Sequence, residues 1–357
     1  MTFDRVQLEK DFREMIGPLC ETVAPTGFEE EMADLVREYL KDTGLTWETD
    51  NLHNLIFHRP GKGPKVAVVA HLDEIGLIVR HIDANGFLWI ETTAGIYPQT
   101  LFGRHVIIKT ETGHVDGVVN HMSPGRPKQC PSMPADLSEF FIDVGARSRE
   151  EALEMGIEVG NAVGLTYPTL FLGKDKGRVA AKALDDRACV YQLIELTRLL
   201  AGEEGCDFYA VFSTQEEVGG RGAIVAAENL RPDVVIALDM SLSTDLPGTP
   251  DRAFINKLGD GASIKVMDRS RGAACGLIAD ASIVRGMKQV CRERNIPYQI
   301  EAYAAGATDA SVMQTRGGGS RAGGVQIAMR YVHSYEMAQI SDILDGVELL
   351  YHFVKTL

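Results

Sequence analysis

Short apolar runs that alternate with helical patterns constrain the fold of this 357-residue chain more than any other feature. Runs of this kind are typical of strands that are buried on both faces of a parallel sheet. They occupy residues 66–70, 208–212, 234–238 and 325–329. Because helical patterns separate most of them, the sequence predicts an α/β fold with a mostly parallel twisted sheet and helices on both faces.

The helical patterns follow the same alternation. They cover roughly residues 4–21, 26–42, 187–200, 222–230 and 279–295, and a last one begins near 341. The capping-box pattern Thr26 to Glu29 predicts the start of the second of these helices, and a second such pattern, Ser148 to Glu151, predicts the start of a further helical segment.

The segment between the first two apolar runs has a different character. Strand-like stretches at 77–82, 87–91, 105–110 and 115–120 are joined by turn signals such as Asn85-Gly86. Helical periodicity is nearly absent there. The sequence therefore predicts an inserted β-rich domain of the small-barrel type at residues 74–164, within a discontinuous catalytic domain formed by residues 1–73 and 165–357.

Composition excludes several classes of protein. The hydrophobic fraction of 45% is enough for a sizeable core, and the net charge of −14 argues against nucleic-acid or anionic-membrane partners. The first residues lack the apolar stretch of a signal peptide, and no apolar run approaches the length of a membrane helix. The six cysteines show no CxxC pair, so we expect reduced thiols in a cytoplasmic protein and no thiolate metal site.

Possible metal ligands follow the apolar runs closely. They are His71, Glu216, Glu217, Asp239 and His333. In an open parallel sheet, binding sites form beyond the carboxyl ends of the strands, so residues that are distant in sequence converge there. We therefore expect these side chains to share one site.

The segment His71-Leu72-Asp73 supplies an imidazole and a nearby carboxylate. A neutral imidazole is a good ligand for Zn²⁺ or Co²⁺, and Asp73 could hold the ring in one tautomer. A lone histidine at a strand end is more often structural, but the adjacent carboxylate favours a ligand. Asp185 and Asp186 begin a helix, where carboxylates are also common as caps; the functional alternative makes Asp185 a bridge between two metal ions.

Glu216 and Glu217 are adjacent acids that could do different work. One would ligate a metal, while the other would take a proton from water and pass it to the leaving group. The alternative is two solvated acids that open a helix, but Gly219-Gly220 brings the backbone close beside them. Asp239 directly follows an apolar run, where a buried carboxylate needs a partner. Together the residues predict a two-metal hydrolase.

With these motifs, the chain resembles the co-catalytic metallo-aminopeptidases that build tetrahedral dodecameric particles (the TET, glutamyl or deblocking aminopeptidases), which share the zinc-exopeptidase core. The resemblance covers essentially the whole chain. Its motifs, in order, are His71-Leu-Asp73, Phe141-Ile-Asp-Val-Gly145, Lys182-Ala-Leu-Asp185-Asp186-Arg187, Gln215-Glu216-Glu217, Ala237-Leu-Asp239, Ile264-Lys-Val-Met-Asp268, Thr308-Asp309-Ala and Arg330-Tyr-Val-His333-Ser.

The resemblance implies two divalent metal ions per subunit, Zn or Co, with Mn as a further possibility. One ion would take His71, Asp185 and Asp239, and the second would take Asp185, Glu217 and His333.

The resemblance also implies the roles of the remaining residues. Glu216 would be the general base on a water that bridges the metals, and Asp73 would orient His71. The bond hydrolysed would be the one after a free N-terminal residue of a short peptide. The Asp185-Asp186 peptide bond would be cis. The insert would mediate dimerisation, and dimers would assemble into a homo-oligomer, a dodecamer in this family.

Two stretches depart from the family pattern. The loop His333-Ser-Tyr-Glu336 is one residue shorter before its glutamate, and residues 120–127 lack the Lys-Pro-Pro-His stretch of relatives. This second stretch lies near the assembly contacts of the family, so its departure concerns the dodecamer and not the metal chemistry. Arg269 and Arg271 could favour an acidic N-terminal residue, but such arginines are more often solvated or paired at subunit contacts.

Three other functions remain open at this point. An amidohydrolase or dipeptidase would have nearly the same metal site, although the position of the insert favours an aminopeptidase. A glycoside hydrolase of the endoglucanase type needs two carboxyl groups about 5 to 10 Å apart, which would leave both histidines without a role. A non-catalytic binding protein would have no use for an unligated glutamate beside a complete set of ligands.

Overall fold

The structure, a computed structural model, describes residues 3–121, 136–269, 276–304 and 306–357. It consists of one large sheet between two layers of helices and a closed barrel. This architecture confirms the predicted α/β fold with a β-rich barrel, and the predicted division at residues 74 and 164 stays a prediction.

The large sheet has eleven strands, and the predicted site residues lie at or near the carboxyl ends of its central strands. The strands are β1 (Thr46–Thr49), β2 (Leu55–Arg59), β3 (Lys65–His71), β10 (Leu170–Leu172), β11 (Arg178–Ala181), β12 (Asp207–Ser213), β13 (Val234–Leu242), β14 (Ala262–Met267), β15 (Tyr298–Ala302), β16 (Arg321–Arg330) and β17 (Glu336–Gln339). The order is β1-β2-β12-β3-β13-β16-β17-β11-β10, with β14 and β15 branching from β16. The four central strands β12, β3, β13 and β16 are parallel to one another.

Helices cover both faces of this sheet, as predicted. The helices within the described residues are α1 (Arg5–Glu21), α2 (Glu30–Leu40), α3 (Arg149–Glu154), α4 (Leu184–Leu200), α5 (Arg221–Leu230), α6 (Ala281–Arg294), α7 (Asp309–Met313) and α8 (Ile340–Val354). Of these, α3 belongs to the barrel segment, where its Ala152 packs in the barrel core. Buried residues of α1, α2, α4, α6 and α8 form the main core on one face. Those of α5 and α7 form a second core on the other face. None of the helices in the described ranges is long and apolar enough to cross a bilayer.

The barrel lies between β3 and β10 in the chain. Its strands are β4 (Leu77–Ile82), β5 (Leu88–Thr92), β6 (His105–Thr110), β7 (Gly113–His121), β8 (Phe140–Asp143) and β9 (Ala162–Leu165). They close in the order β4-β5-β8-β7-β6-β9 around an apolar core of their own. This closure removes the unpaired edges that an open sheet of this size would expose. Of the unusual stretch 120–127, only Asn120 and His121 lie within the described residues.

The two capping-box predictions had different outcomes. The Ser148 hydroxyl accepts a hydrogen bond from the Glu151 N–H (3.2 Å) at the first turn of α3, which confirms one of them. The other is wrong, because α2 begins at Glu30 without a side-chain cap. The Thr26 hydroxyl instead donates to the Asp73 carboxylate (2.8 Å), so a residue that looked like a helix cap serves the site.

Candidate metal centre

The parallel strand order brings the predicted site residues to one edge of the sheet. Strands β12, β3, β13 and β16 are neighbours, and their carboxyl ends point the same way. His71 and Asp239 lie within β3 and β13, while Glu217 and His333 lie in the turns after β12 and β16. Asp185 joins them from the first turn of α4, directly in front of these strand ends.

His71 is held in a single ring orientation. Its Nδ1 lies 3.1 Å from the Asp73 carbonyl oxygen, and its Nε2 lies 3.2 Å from Asp185 Oδ1. A carbonyl oxygen only accepts hydrogen bonds, so Nδ1 carries the proton and Nε2 is the atom that can ligate a cation. The side chain is 2% exposed. The Asp73 carboxylate lies 3.5 Å from Nδ1, which places Asp73 where it can orient the ring.

The Asp73 carboxylate also fixes the turn that carries the two glutamates. Its oxygens accept hydrogen bonds from the backbone N–H of Glu216 (2.9 Å) and Glu217 (3.2 Å). A buried carboxylate that accepts several N–H groups is held rigidly, because leaving any of them unpaired would cost free energy. Burial by itself raises the pKa of Asp73, but its contact with His71 and the hydrogen bonds from the Glu216 N–H and the Thr26 hydroxyl lower it below the usual range.

Asp185 and Asp186 approach the site through an interruption of α4. Their backbone angles are not helical, and the peptide bond between them is cis, as predicted. Asp186 Oδ2 accepts a hydrogen bond from the backbone N–H of His71 at 3.2 Å. Three non-glycine residues around the site have positive φ angles: Ala183 (52°), Gln215 (55°) and His333 (56°). Residues with a side chain adopt such angles at a cost in free energy.

His333 is oriented by the barrel segment. Its Nδ1 lies 2.6 Å from the carbonyl oxygen of Gly95, so Nδ1 again carries the proton and Nε2 is left as the possible ligand atom. Nε2 lies 3.4 Å from Glu217 Oε2 and 3.9 Å from Asp185 Oδ2. A backbone carbonyl between β5 and β6 therefore takes part in shaping the site, and no sequence signal pointed to Gly95.

Two groups of possible ligands meet at Asp185. His71, Asp185, Asp186 and Asp239 offer ligand atoms within 4.8 Å of one another, and so do Asp185, Glu217 and His333. All five ligands expected from the sequence are present in these groups. Asp186 was not among them, although its place next to Asp185 was the signal that could have included it.

The charges of the site fit divalent cations. Burial, and after it the neighbouring Asp185, raise the pKa of Asp239 well above its usual range. Burial also raises the pKa of Glu217, whose Oε1 is buried and has no hydrogen-bond partner among the described residues. Burial lowers the pKa of His333, but its contact with Glu217 outweighs this and raises it to about 10. Clustered buried carboxylates need positive charge beside them, which cations would supply.

Glu336 is a further residue of the site that the sequence did not single out as functional. Its Oε2 accepts the Asp185 N–H (3.0 Å) and its Oε1 accepts the His333 N–H (2.8 Å). One buried carboxylate at the start of β17 thus sets the distance between two possible ligands. Glu336 lies only three residues after His333 in the chain, so a short loop brings it to this place.

A cavity of about 480 Å³ opens beside these groups. Asp185, Glu216, Glu217, Asp239 and His333 line one part of it. Burial raises the pKa of Glu216 well above its usual range. A site of this kind, with paired carboxylates, two imidazoles and an acid outside the ligand groups, has the groups needed for metal-assisted hydrolysis.

The sequence matches the M42 glutamyl aminopeptidase family over residues 53–349. The chain belongs to this family. The lysyl aminopeptidase of Pyrococcus furiosus is 36% identical over 341 residues, which are 94% of this chain and 94% of that protein. The chain is thus an M42 aminopeptidase, a peptidase of a metal-dependent family, and the resemblance noted from its motifs is confirmed.

Solved structures agree over nearly the whole length of this M42 aminopeptidase. The aminopeptidase APDkam598 from the archaeon Desulfurococcus kamchatkensis has a TM-score of 0.91 at 32% identity, covering 98% of this chain and 96% of that one. The TET1 peptidase of Pyrococcus horikoshii, which can assemble into a tetrahedron or a large octahedral shell, has a TM-score of 0.84 at 28% identity, covering 99% and 100%.

Proposed function

We propose that this aminopeptidase works with two divalent metal ions, Zn or Co, with Mn as a further possibility. One ion takes His71, Asp185 and Asp239, and the other takes Asp185, Glu217 and His333. The observation that carries this proposal is the pair of ligand groups that share Asp185. Zn²⁺ accepts imidazole and carboxylate ligands in such sites, and cellular availability decides which metal is native.

Glu216 is the proposed general base. Ions held by these ligands would polarise the scissile carbonyl and acidify water. The Glu216 carboxylate lines the same cavity but belongs to neither ligand group, so it is available to accept a proton. It takes one proton from the attacking water and gives it to the departing amine nitrogen when the C–N bond breaks, which leaves Glu216 unchanged after each turnover. Asp73 is a positioning residue, because it holds both His71 and the backbone of Glu216.

The shape and charge of the cavity favour the removal of a single N-terminal residue. Carboxylates ring the part of the cavity next to the ligand groups, which suits the ammonium group of a free N-terminus. On one side the cavity ends at buried side chains, among them Lys265 and Gln326. The cavity therefore has room for little more than one peptide residue on the N-terminal side of the scissile bond.

We expect hydrolysis of a short peptide with a free N-terminus and at least about a hundredfold lower kcat/KM for the same peptide after N-acetylation, because acetylation removes the ammonium charge. Mass spectrometry of the products checks this, since only the first amino acid should be released. Faster hydrolysis of the acetylated peptide would support an amidohydrolase instead. Cleavage of a cellulose oligosaccharide would support the endoglucanase alternative.

We propose that the barrel, as a domain of residues 74–164, mediates dimerisation and that dimers form a larger cytoplasmic homo-oligomer. The barrel surface exposes Phe102 (45%) and Val118 (47%), and the loop of Phe102 is bonded to β7 through Gly103 N–H and Val119 O (2.9 Å). Exposed apolar side chains that cluster on a surface are typical of protein interfaces. The assembly that we propose is a dodecamer, like the dodecamer in the asymmetric unit of the solved PhTET1-12s structure.

Light scattering on the native protein should give a mass of twelve subunits, or of a smaller even number if assembly stops earlier. Replacing both Phe102 and Val118 by Ser should lower this mass, because the substitution removes apolar area that dimerisation buries. Replacing the exposed Tyr331, which lies outside the barrel, by Ser is the matched control and should leave the mass unchanged. A strictly monomeric native protein would rule out the proposed assembly.

A further inference from the structure

The inner end of the catalytic cavity is built from polar side chains that are almost fully buried. Lys265 is 3% exposed, Gln326 is 1% exposed and Ser241 is 6% exposed, and all three line the cavity. By contrast, Gly95 and Leu242 at the cavity wall are exposed and mark its open side. The inner end is therefore the place where the side chain of a substrate, and not the leaving peptide, would be enclosed.

Strand register places this inner end directly beside the metal ligands. Gln326 on β16 pairs with Asp239 on β13, and on its other side it pairs with Ser263 on β14. The glycine at position 324 leaves space for the side chains of Lys265 and Gln326, because a Cβ there would lie 3.2 Å from Lys265 Cβ and 3.6 Å from Gln326 Nε2. A substrate held at Asp239 would thus have Gln326 and Lys265 next to its first side chain.

The charge of Lys265 is already neutralised within the protein. Its Nζ forms an ion pair with Glu301, which is fully buried. The second carboxylate oxygen of Glu301 accepts a hydrogen bond from Asn256 Nδ2 (3.0 Å), and the same amide nitrogen donates to Ser241 Oγ (3.2 Å). The inner end therefore contains one positive and one negative charge, and its net charge is zero.

The amide of Gln326 is the group left for a ligand. Both its oxygen and its nitrogen are buried without a hydrogen-bond partner among the described residues. A buried amide of this kind offers one acceptor and a donor group to whatever fills the cavity, and leaving them unpaired costs free energy.

We propose that this pocket selects a neutral N-terminal side chain with a polar end, such as glutamine, and disfavours acidic and basic ones alike. The inference rests on the proposed function, in which the N-terminal residue occupies this cavity. A charged side chain would be buried next to an ion pair that is already satisfied, so it would lose its hydration without gaining a counter-charge. A glutamine side chain would form hydrogen bonds with the Gln326 amide. A substrate that cannot form them would leave this buried amide unpaired, which lowers its kcat/KM.

The test compares kcat/KM for glutaminyl, methionyl, glutamyl and lysyl p-nitroanilides, which have side chains of similar length. For the wild-type enzyme we expect the glutaminyl substrate to exceed the glutamyl and lysyl ones at least about tenfold. In Glu301→Gln the Lys265 ammonium loses its partner, so the glutamyl-to-glutaminyl ratio should rise at least about tenfold. In Lys265→Met the unpaired Glu301 carboxylate should raise the lysyl-to-glutaminyl ratio by a similar factor.

Two further variants keep the proposal testable if a single charge change destabilises the protein. The double variant Lys265→Met/Glu301→Gln has no net charge at the inner end, so it should return to the preference for a neutral side chain. Gln326→Leu keeps the ion pair and should lower the glutaminyl-to-methionyl ratio at least about tenfold. Thermal unfolding of each variant, followed by circular dichroism, shows whether it is folded.

The outcomes separate this inference from the proposed function. If the wild-type enzyme hydrolyses none of the four substrates while it is loaded with metal, the proposed function fails. If it is active but prefers the glutamyl or lysyl substrate, or if folded variants keep the wild-type ratios, the inference about the pocket is wrong and the metal chemistry is unaffected.

Discussion

Replacing Glu216 with glutamine is expected to lower kcat by about 10²–10⁴ without loss of metal. The amide has the shape of the carboxylate, so the turn held by Asp73 and the ligand groups is preserved. It cannot accept the proton of the attacking water at neutral pH. The KM should change little, since the proposed general base would act mainly in the transition state, and added metal should not restore the rate. Steady-state kinetics together with the metal content of the purified variant checks both expectations.

Glu217→Gln is the matched control, because it makes the same chemical change at the adjacent residue. Glu217 lies 3.4 Å from His333 Nε2 and belongs to a ligand group, so this variant should bind one metal ion less tightly. Excess metal should then recover part of its rate. If Glu216→Gln loses metal while Glu217→Gln keeps it, the roles of the two residues are reversed.

Removing the metal with a chelator is expected to abolish peptide hydrolysis, and Zn²⁺, Co²⁺ or Mn²⁺ should restore it. Without cations, the clustered carboxylates of Asp185, Glu217 and Asp239 would repel one another, and His71 and His333 are the histidines that lie among them. The substrate carbonyl would then lack the polarisation that hydrolysis needs. Full activity in a protein shown by elemental analysis to be free of metal would contradict the proposed chemistry as a whole.

Metal removal also has a readout that does not depend on activity. A ligand that binds only the folded state stabilises it by about 2.7 kcal/mol when its concentration is a hundred times its Kd. The unfolding temperature of the metal-free protein should therefore rise when metal is added. The rise should be smaller in Glu217→Gln, which lacks one ligand charge. An unchanged unfolding temperature in the wild-type protein would show that metal does not bind the folded chain tightly.

The elements that could be predicted are those whose burial produces a recognisable run of apolar residues in the sequence. Strand β3 and the central strands β12, β13 and β16 were expected, because they are apolar on both faces. Strand β1 was not expected, since all four of its residues are exposed and show no alternation. Short strands such as β11 and β17 were not predicted, because each has only four residues and they pair with each other across about 160 residues of sequence.

The candidate site was predictable in part for the same reason. His71 and Asp239 are polar residues at the ends of apolar runs, so the sequence marks them. Glu336 and the Gly95 carbonyl act through hydrogen bonds to His333, and nothing local in either segment indicates that contact. Thr26 shows how such contacts override local signals, since its hydroxyl bonds Asp73 instead of capping a helix.

The sequence by itself determined the kinds of chemistry that this protein can carry. Residue type, and position after buried strands, were enough to indicate imidazole and carboxylate ligands, an extra glutamate and a β-rich insert. Only the tertiary structure decided which imidazole nitrogen is left free, and how Asp73 holds both His71 and Glu216. It also decided that Lys265 is neutralised by Glu301. The physical reason is that hydrogen bonds and ion pairs depend on distances of a few ångströms between residues far apart in sequence, whereas burial patterns repeat along the chain itself.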